Sequence, residues 1–131
     1  MTKRWLCALL AVAMLVCLIP TTEIHAHAAS NMKASDQIIA YLKSMEGFAA
    51  VPFWDYGQWT VGYGNRCPDD KLDRYLAEGI PLDEAEVLFL EHLAGFEKYV
   101  NLFIDRYNLT FTQGQFDAVL SISYNCGGGW L

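Results

Sequence analysis

Two carboxylates and one hydroxyl are the groups in this 131-residue chain best placed to do chemistry. Glu46 falls where a helix is expected to end, facing the negative pole of the backbone dipole. A carboxyl group so placed and also partly buried favours its protonated form, which a general acid needs near neutral pH. Phe48, Phe53 and Trp54 follow closely enough to supply that burial. Asp55 opens a turn-forming Asp55-Tyr56-Gly57 cluster, and Thr60 lies in the run after it. Taken singly, each has an ordinary reading as a solvated helix-end acid, a turn residue or a strand residue. Together they offer a proton donor, a second carboxylate and a hydroxyl within a short stretch.

The surrounding pattern says what must position them. Ser35 is a good N-cap, and Asp36 sits in the first turn, where negative charge is favoured. Ile38, Tyr41, Leu42 and Met45 then form one helical face, and Gly47 stops the helix just after Glu46. The period changes to two: Ala49 to Trp54 and Gln58 to Tyr63 flank the turn cluster and predict a hairpin. In its second arm Trp59, Val61 and Tyr63 should point one way, and Thr60 and Gly62 the other. Residues 64–80 read as polar loop, including the run Asp69-Asp70-Lys71. From Leu82 to about Ile104 the helical period returns through Ala85, Leu88, Phe89, Phe96, Val100 and Phe103. Thr112-Gln113-Gly114-Gln115 matches a capping box, with Phe116, Val119, Leu120 and Ile122 as the stripe behind it. The expectation is an α+β fold: a small lobe of catalytic helix and hairpin over residues 29–80, and a helical lobe starting at 81–131.

The series Glu46, eight residues, Asp55, a Gly-containing turn, then Trp59-Thr60-Val61-Gly62-Tyr63-Gly64 resembles the active-site motif of phage-type lysozymes, glycoside hydrolase family 24. The resemblance continues through Gly79-Ile80, the acidic start Asp83-Glu84-Ala85-Glu86, and Gln115-Phe116-Asp117-Ala118 with Asn125 and Gly127 beyond. It implies that Glu46 protonates the glycosidic oxygen, that Asp55 stabilises an oxocarbenium-like transition state and helps hold the attacking water, and that Thr60 hydrogen-bonds that water. It implies inversion at the β-1,4 bond between N-acetylmuramic acid and N-acetylglucosamine of peptidoglycan. It also places Tyr124 and Asn125 as substrate-binding residues along the cleft. Four residues separate Asp55 from Thr60 where the family usually has five, which predicts a tighter turn. Asn65 stands where the family often has His, and Pro81 where a Thr cap is common. Family members continue past the Gly-rich turn with further helices, so residues 29–131 are expected to fold poorly on their own. Leu88, Phe89, Phe96, Val100 and Phe103 would be short of partners.

Charge and targeting set the context. Lys3 and Arg4 precede an uncharged run, Leu6 to Ile19, then Pro20 and the small residues of Ala26-His27-Ala28. This predicts an export signal over 1–28, cleaved after Ala28. The rival, a retained anchor, fits less well with a run dominated by Leu, Val and Ala. Without those residues the chain holds 7 basic and 14 acidic residues, a net charge of −7. That balance argues against nucleic acid and against stable membrane association as partners. The expected protein is secreted and monomeric. Cys67 and Cys126 remain beyond the signal, and either one bridge or two separate thiols is open. His92 has no paired-ligand spacing around it, so neither metal nor cofactor is expected. A non-catalytic wall-carbohydrate-binding module is the competing reading. It would use Trp54, Tyr56, Trp59 and Tyr63 as stacking surface, but leaves the spacing of Glu46 and Asp55 without a purpose.

Overall fold

A computed structural model describes residues 30–131, so the expected signal over 1–28 lies outside the described residues. Helix α1, Asp36–Glu46, begins at Ser35, whose hydroxyl accepts from the Ile38 backbone N–H. It ends at Gly47, whose positive φ of 71° lets its N–H donate back to the Lys43 carbonyl. Strands β1 (Ala49–Asp55), β2 (Gln58–Gly62) and β3 (Asn65–Arg66) then form an antiparallel sheet in the order β1-β2-β3. Pro52 sits in β1, the edge strand, beside a register shift between Ala49 and Phe53, where a missing N–H disturbs the ladder least. The β1–β2 turn is two residues long, Tyr56 at φ 42° and Gly57 at φ 93°. Positive φ at both positions is the type I′ pattern that matches strand twist, and it accounts for the missing residue between Asp55 and Thr60.

The stretch expected to be loop is partly ordered. Besides β3 it carries a 3-10 turn, Asp69–Lys71, and helix α2, Leu72–Glu78. Tyr75 on α2 is fully buried with Val61, Cys67, Ile80 and Ala85 in a small-lobe core. Its hydroxyl donates to Glu84 at 2.6 Å, and Arg74 and Lys71 donate to the same carboxylate oxygen.

Helix α3, Leu82–Arg106, starts without a side-chain cap at Pro81. Helix α4, Gln113–Cys126, has the full capping box between Thr112 and Gln115. The larger core joins Leu42 of α1, Phe89, Leu93, Val100 and Ile104 of α3, and Phe116 and Leu120 of α4. Phe89 and Val100 are therefore fully buried within residues 30–131, against the expectation that they lack partners. Leu88, Phe96 and Phe103 are half-buried; the exposed apolar side chains of α3 are instead Leu82, Val87, Leu90, Tyr99 and Leu102.

A segment ahead of α1 is stitched to α3 in a regular way. The N–H groups of Ser30, Met32 and Ala34 donate to the side chains of Asp105, Asn101 and Glu97 at 2.8, 2.9 and 2.8 Å. Two extended residues advance about 6.6 Å, and four helical residues about 6 Å, so alternate N–H groups meet every fourth helix residue. Ser35 then donates to Asp117 on α4 through both its N–H and its hydroxyl. One short segment thus ties α1 to both long helices.

Cys67 and Cys126 are both free thiols, the first buried and the second exposed, which decides against a bridge between them.

Candidate active site

Glu46 occupies the last position of α1, as the capping pattern requires. It is exposed, however, and the burial expected from its aromatic neighbours is not found. Phe48, Phe53 and Trp54 turn largely outward, 47%, 47% and 62% exposed. A methyl group added at Gly64 would lie 2.9 Å from Glu46 Oε2, so the acid rests directly against that glycine. Gly64 has φ +75°, and Gly62, at φ +64°, packs as closely on Ala85 of α3. The Gly-Tyr-Gly stretch therefore brings the hairpin against Glu46 on one side and against α3 on the other.

The helix bearing Glu46 is held from behind. Lys43, one turn earlier, pairs with Glu86 of α3 and lies over the rings of Tyr63 and Phe89, 5.0 and 5.9 Å from their centroids. The Tyr63 hydroxyl donates to the same Glu86 oxygen at 3.3 Å. Hairpin, α1 and α3 meet at this one carboxylate.

Asp55 ends β1 opposite Gln58, and Thr60 pairs with Phe53. Alternation puts Asp55, Phe53 and Thr60 on one face of the sheet, with Asp55 and Thr60 as diagonal neighbours. Trp54 and Trp59, paired directly across the ladder, take the other face and meet edge-on at 5.5 Å. Thr60 is only 4% exposed, and its Oγ1 has no hydrogen-bond partner among the described residues. Asn65 Oδ1 is in the same condition. Most buried polar side-chain atoms are partnered, so both are exceptions.

Of the two cleft residues expected on α4, Tyr124 is the one that feels the Glu46 charge. Tyr124 packs among Phe89, His92 and Phe96. Burial pushes its phenol up to about 12, and the Glu46 charge adds to that. Asn125 is exposed, and its amide donates to Ser121 of its own helix at 2.8 Å.

The Gly64 contact and the Glu86 junction escape sequence reasoning. The signals were present in Gly62-Tyr63-Gly64 and in Lys43 one turn before Glu46, but neither names its partner.

An exposed acid at a helix end, seated on a three-stranded hairpin sheet and backed by a long helix, defines a lysozyme-like α+β protein. Residues 43–131 match the family model of phage lysozyme, and the chain belongs to that family. It is similar in structure to an endolysin from Escherichia coli O157:H7 phage FAHEc1, with TM-score 0.65 and 28% identity over 78% of this chain and 63% of that one. It is also similar to the muramidase domain of SpmX from Asticaccaulis excentricus, with TM-score 0.61 and 26% identity over 76% of this chain and 63% of that one. The chain thus spans less than two thirds of either structure. No curated protein matches it.

Proposed function

We propose that this protein is a peptidoglycan hydrolase cutting the β-1,4 bond between N-acetylmuramic acid and N-acetylglucosamine, with Glu46 as general acid. Asp55 stabilises positive charge developing at the anomeric carbon and helps hold the attacking water, and Thr60 hydrogen-bonds that water. The observation that carries this reading is the seat of Glu46 against Gly64, on the same hairpin that presents Asp55 and Thr60 together on one face. A buried hydroxyl without a protein partner suits a water-positioning role, since leaving it unmet costs about 1–3 kcal/mol. Tyr124, whose phenol feels the Glu46 charge, suits a sugar hydroxyl as partner. Among the described residues no helix is long and apolar enough to cross a membrane. On this reading the enzyme acts as a monomer on the wall outside the cytoplasm, and residues 1–28 direct its export.

Glu46→Gln tests the assignment. The amide keeps the shape but cannot donate the proton, so release of reducing ends from purified peptidoglycan should fall at least 100-fold. Wall binding should persist. Near-normal turnover by this variant removes Glu46 from the mechanism.

A further inference from the structure

A groove of about 360 Å³ opens at the end of the hairpin sheet, lined by Trp54, Gly57, Gln58, Trp59, Arg66 and Asp69. Its size falls within the range of about 300–1,000 Å³ usual for small-ligand sites. We propose that this groove binds one neutral N-acetylhexosamine ring of a glycan strand, as a site apart from the carboxylate pair.

Three features select that ligand. Trp54 is 62% exposed and stands edge-on to Trp59 with 77° between their planes, so an indole face remains open for the C–H face of a sugar. Arg66 donates to both carboxylate oxygens of Asp69 at long distances, 3.3 and 3.4 Å, and both side chains are largely exposed. Such a pair is weak and retains unused donors and acceptors for hydroxyl and acetamido groups. The Gln58 amide adds one more of each. The pair's charges also cancel, so the groove offers nothing to an anion that Asp69 does not oppose. A purely apolar ligand would leave the polar half unmatched. A pyranose has both an apolar face and a polar rim.

The groove stands on the opposite side of the ladder from Asp55 in its two tryptophans, yet Gln58 and Arg66 come from the same alternation as Asp55 and Thr60. This inference rests on the wall-glycan reading above, but it is tested by binding rather than turnover.

The test is titration of the full chain with the tetramer of N-acetylglucosamine, followed by tryptophan fluorescence and by calorimetry. Wild type and Glu46→Gln should bind saturably with affinities within twofold of each other. Trp54→Ala should abolish binding, and Arg66→Gln and Asp69→Asn should each weaken it at least fivefold. Trp54→Tyr should recover part of it. All three positions are exposed, and unchanged circular dichroism establishes that the variants fold. Absence of saturable binding, or binding unaltered in Trp54→Ala and Arg66→Gln, overturns the proposal. Trp54-dependent binding without any hydrolysis of peptidoglycan by wild type sustains the groove and defeats the catalytic reading alone.

Discussion

Replacing Gly64 by Ala should damage activity far more than stability, and the two losses can be worked separately. The new methyl would stand 2.9 Å from Glu46 Oε2 and 3.7 Å from its Cδ. Ordinary contact begins near 3.4 Å, so the carboxylate must retreat by roughly half an ångström or more. Because Glu46 is exposed, its side chain can swing away at little cost in folding energy. The main stability penalty is the backbone, held at φ +75°, where a residue with a Cβ loses about 1–2 kcal/mol. For a domain of this size that lowers Tm by roughly 4–16 °C. The catalytic penalty is larger. Displacing a reacting group by an ångström can cost about 10²-fold, so a loss of about 10- to 100-fold in kcat is expected. Gly127→Ala is the control: it has φ +81° and open space around it, hence similar strain without contact to the acid. Thermal melts and reducing-end release from peptidoglycan, measured at a temperature where both variants are folded, compare the two. If Gly64→Ala, folded, keeps activity within twofold of Gly127→Ala, then Gly64 does not position Glu46 and the reasoning is wrong.

Three further outcomes follow from the same contacts. Hydrogen bonds from Tyr75, Arg74 and Lys71 hold the Glu84 carboxyl down to about 2. Their contribution is therefore fully present above its unfolded value near 4.5 and is lost as pH falls toward 2. The gap in Tm between wild type and Glu84→Gln should be constant above pH 5 and close between pH 4.5 and 2; a gap independent of pH would exclude this network. Glu97 is 7% exposed and accepts from the Ala34 N–H and Lys33 Nζ, so Glu97→Ala should cost about 2 kcal/mol in urea unfolding. A change under 0.5 kcal/mol would mean that the segment before α1 adds nothing. Burial, followed by the charges of Asp69 and Asp70, pushes the Cys67 thiol up. Alkylation mapped by mass spectrometry should thus label Cys126 in the native protein and Cys67 only in denaturant; equal native labelling would contradict the buried site.

Elements whose signals are local could be read from sequence. The Ser35 cap, the Gly47 stop and the Thr112–Gln115 capping box each involve residues within four positions, and each is found where the pattern put it. The tight turn followed from counting residues between Asp55 and Thr60. Helix α2 was hidden because its apolar positions, Leu72, Tyr75 and Leu76, span barely one turn beside an Asp-rich run. A helix that short depends on tertiary contacts, here the Tyr75 hydroxyl on Glu84. The segment at residues 30–35 has no pattern of its own; its partners lie 63 to 82 positions away. Glu97, Asn101 and Asp105, polar at four-residue steps along α3, were its visible half. The types and order of the site residues were legible, but the exposure of Glu46 was not, because Phe48, Phe53 and Trp54 could have turned either way.

The site's geometry depends on one turn of α3. Ala85 receives Gly62, Glu86 holds both Lys43 and Tyr63, and Phe89 packs on Tyr63 and Tyr124. The helix carrying the acid and the hairpin carrying its partner carboxylate are thereby referenced to the same five residues. A disturbance elsewhere on α3 moves both together and leaves their separation intact. A disturbance between them, at Gly64, moves one against the other. On the proposed function, catalysis by two carboxylates depends on that separation, since it must admit the reacting groups and the water. On the same reading Gly64, next to Tyr63, is thus a spacing device, and its replacement should separate the positioning of the acid from the folding of the chain.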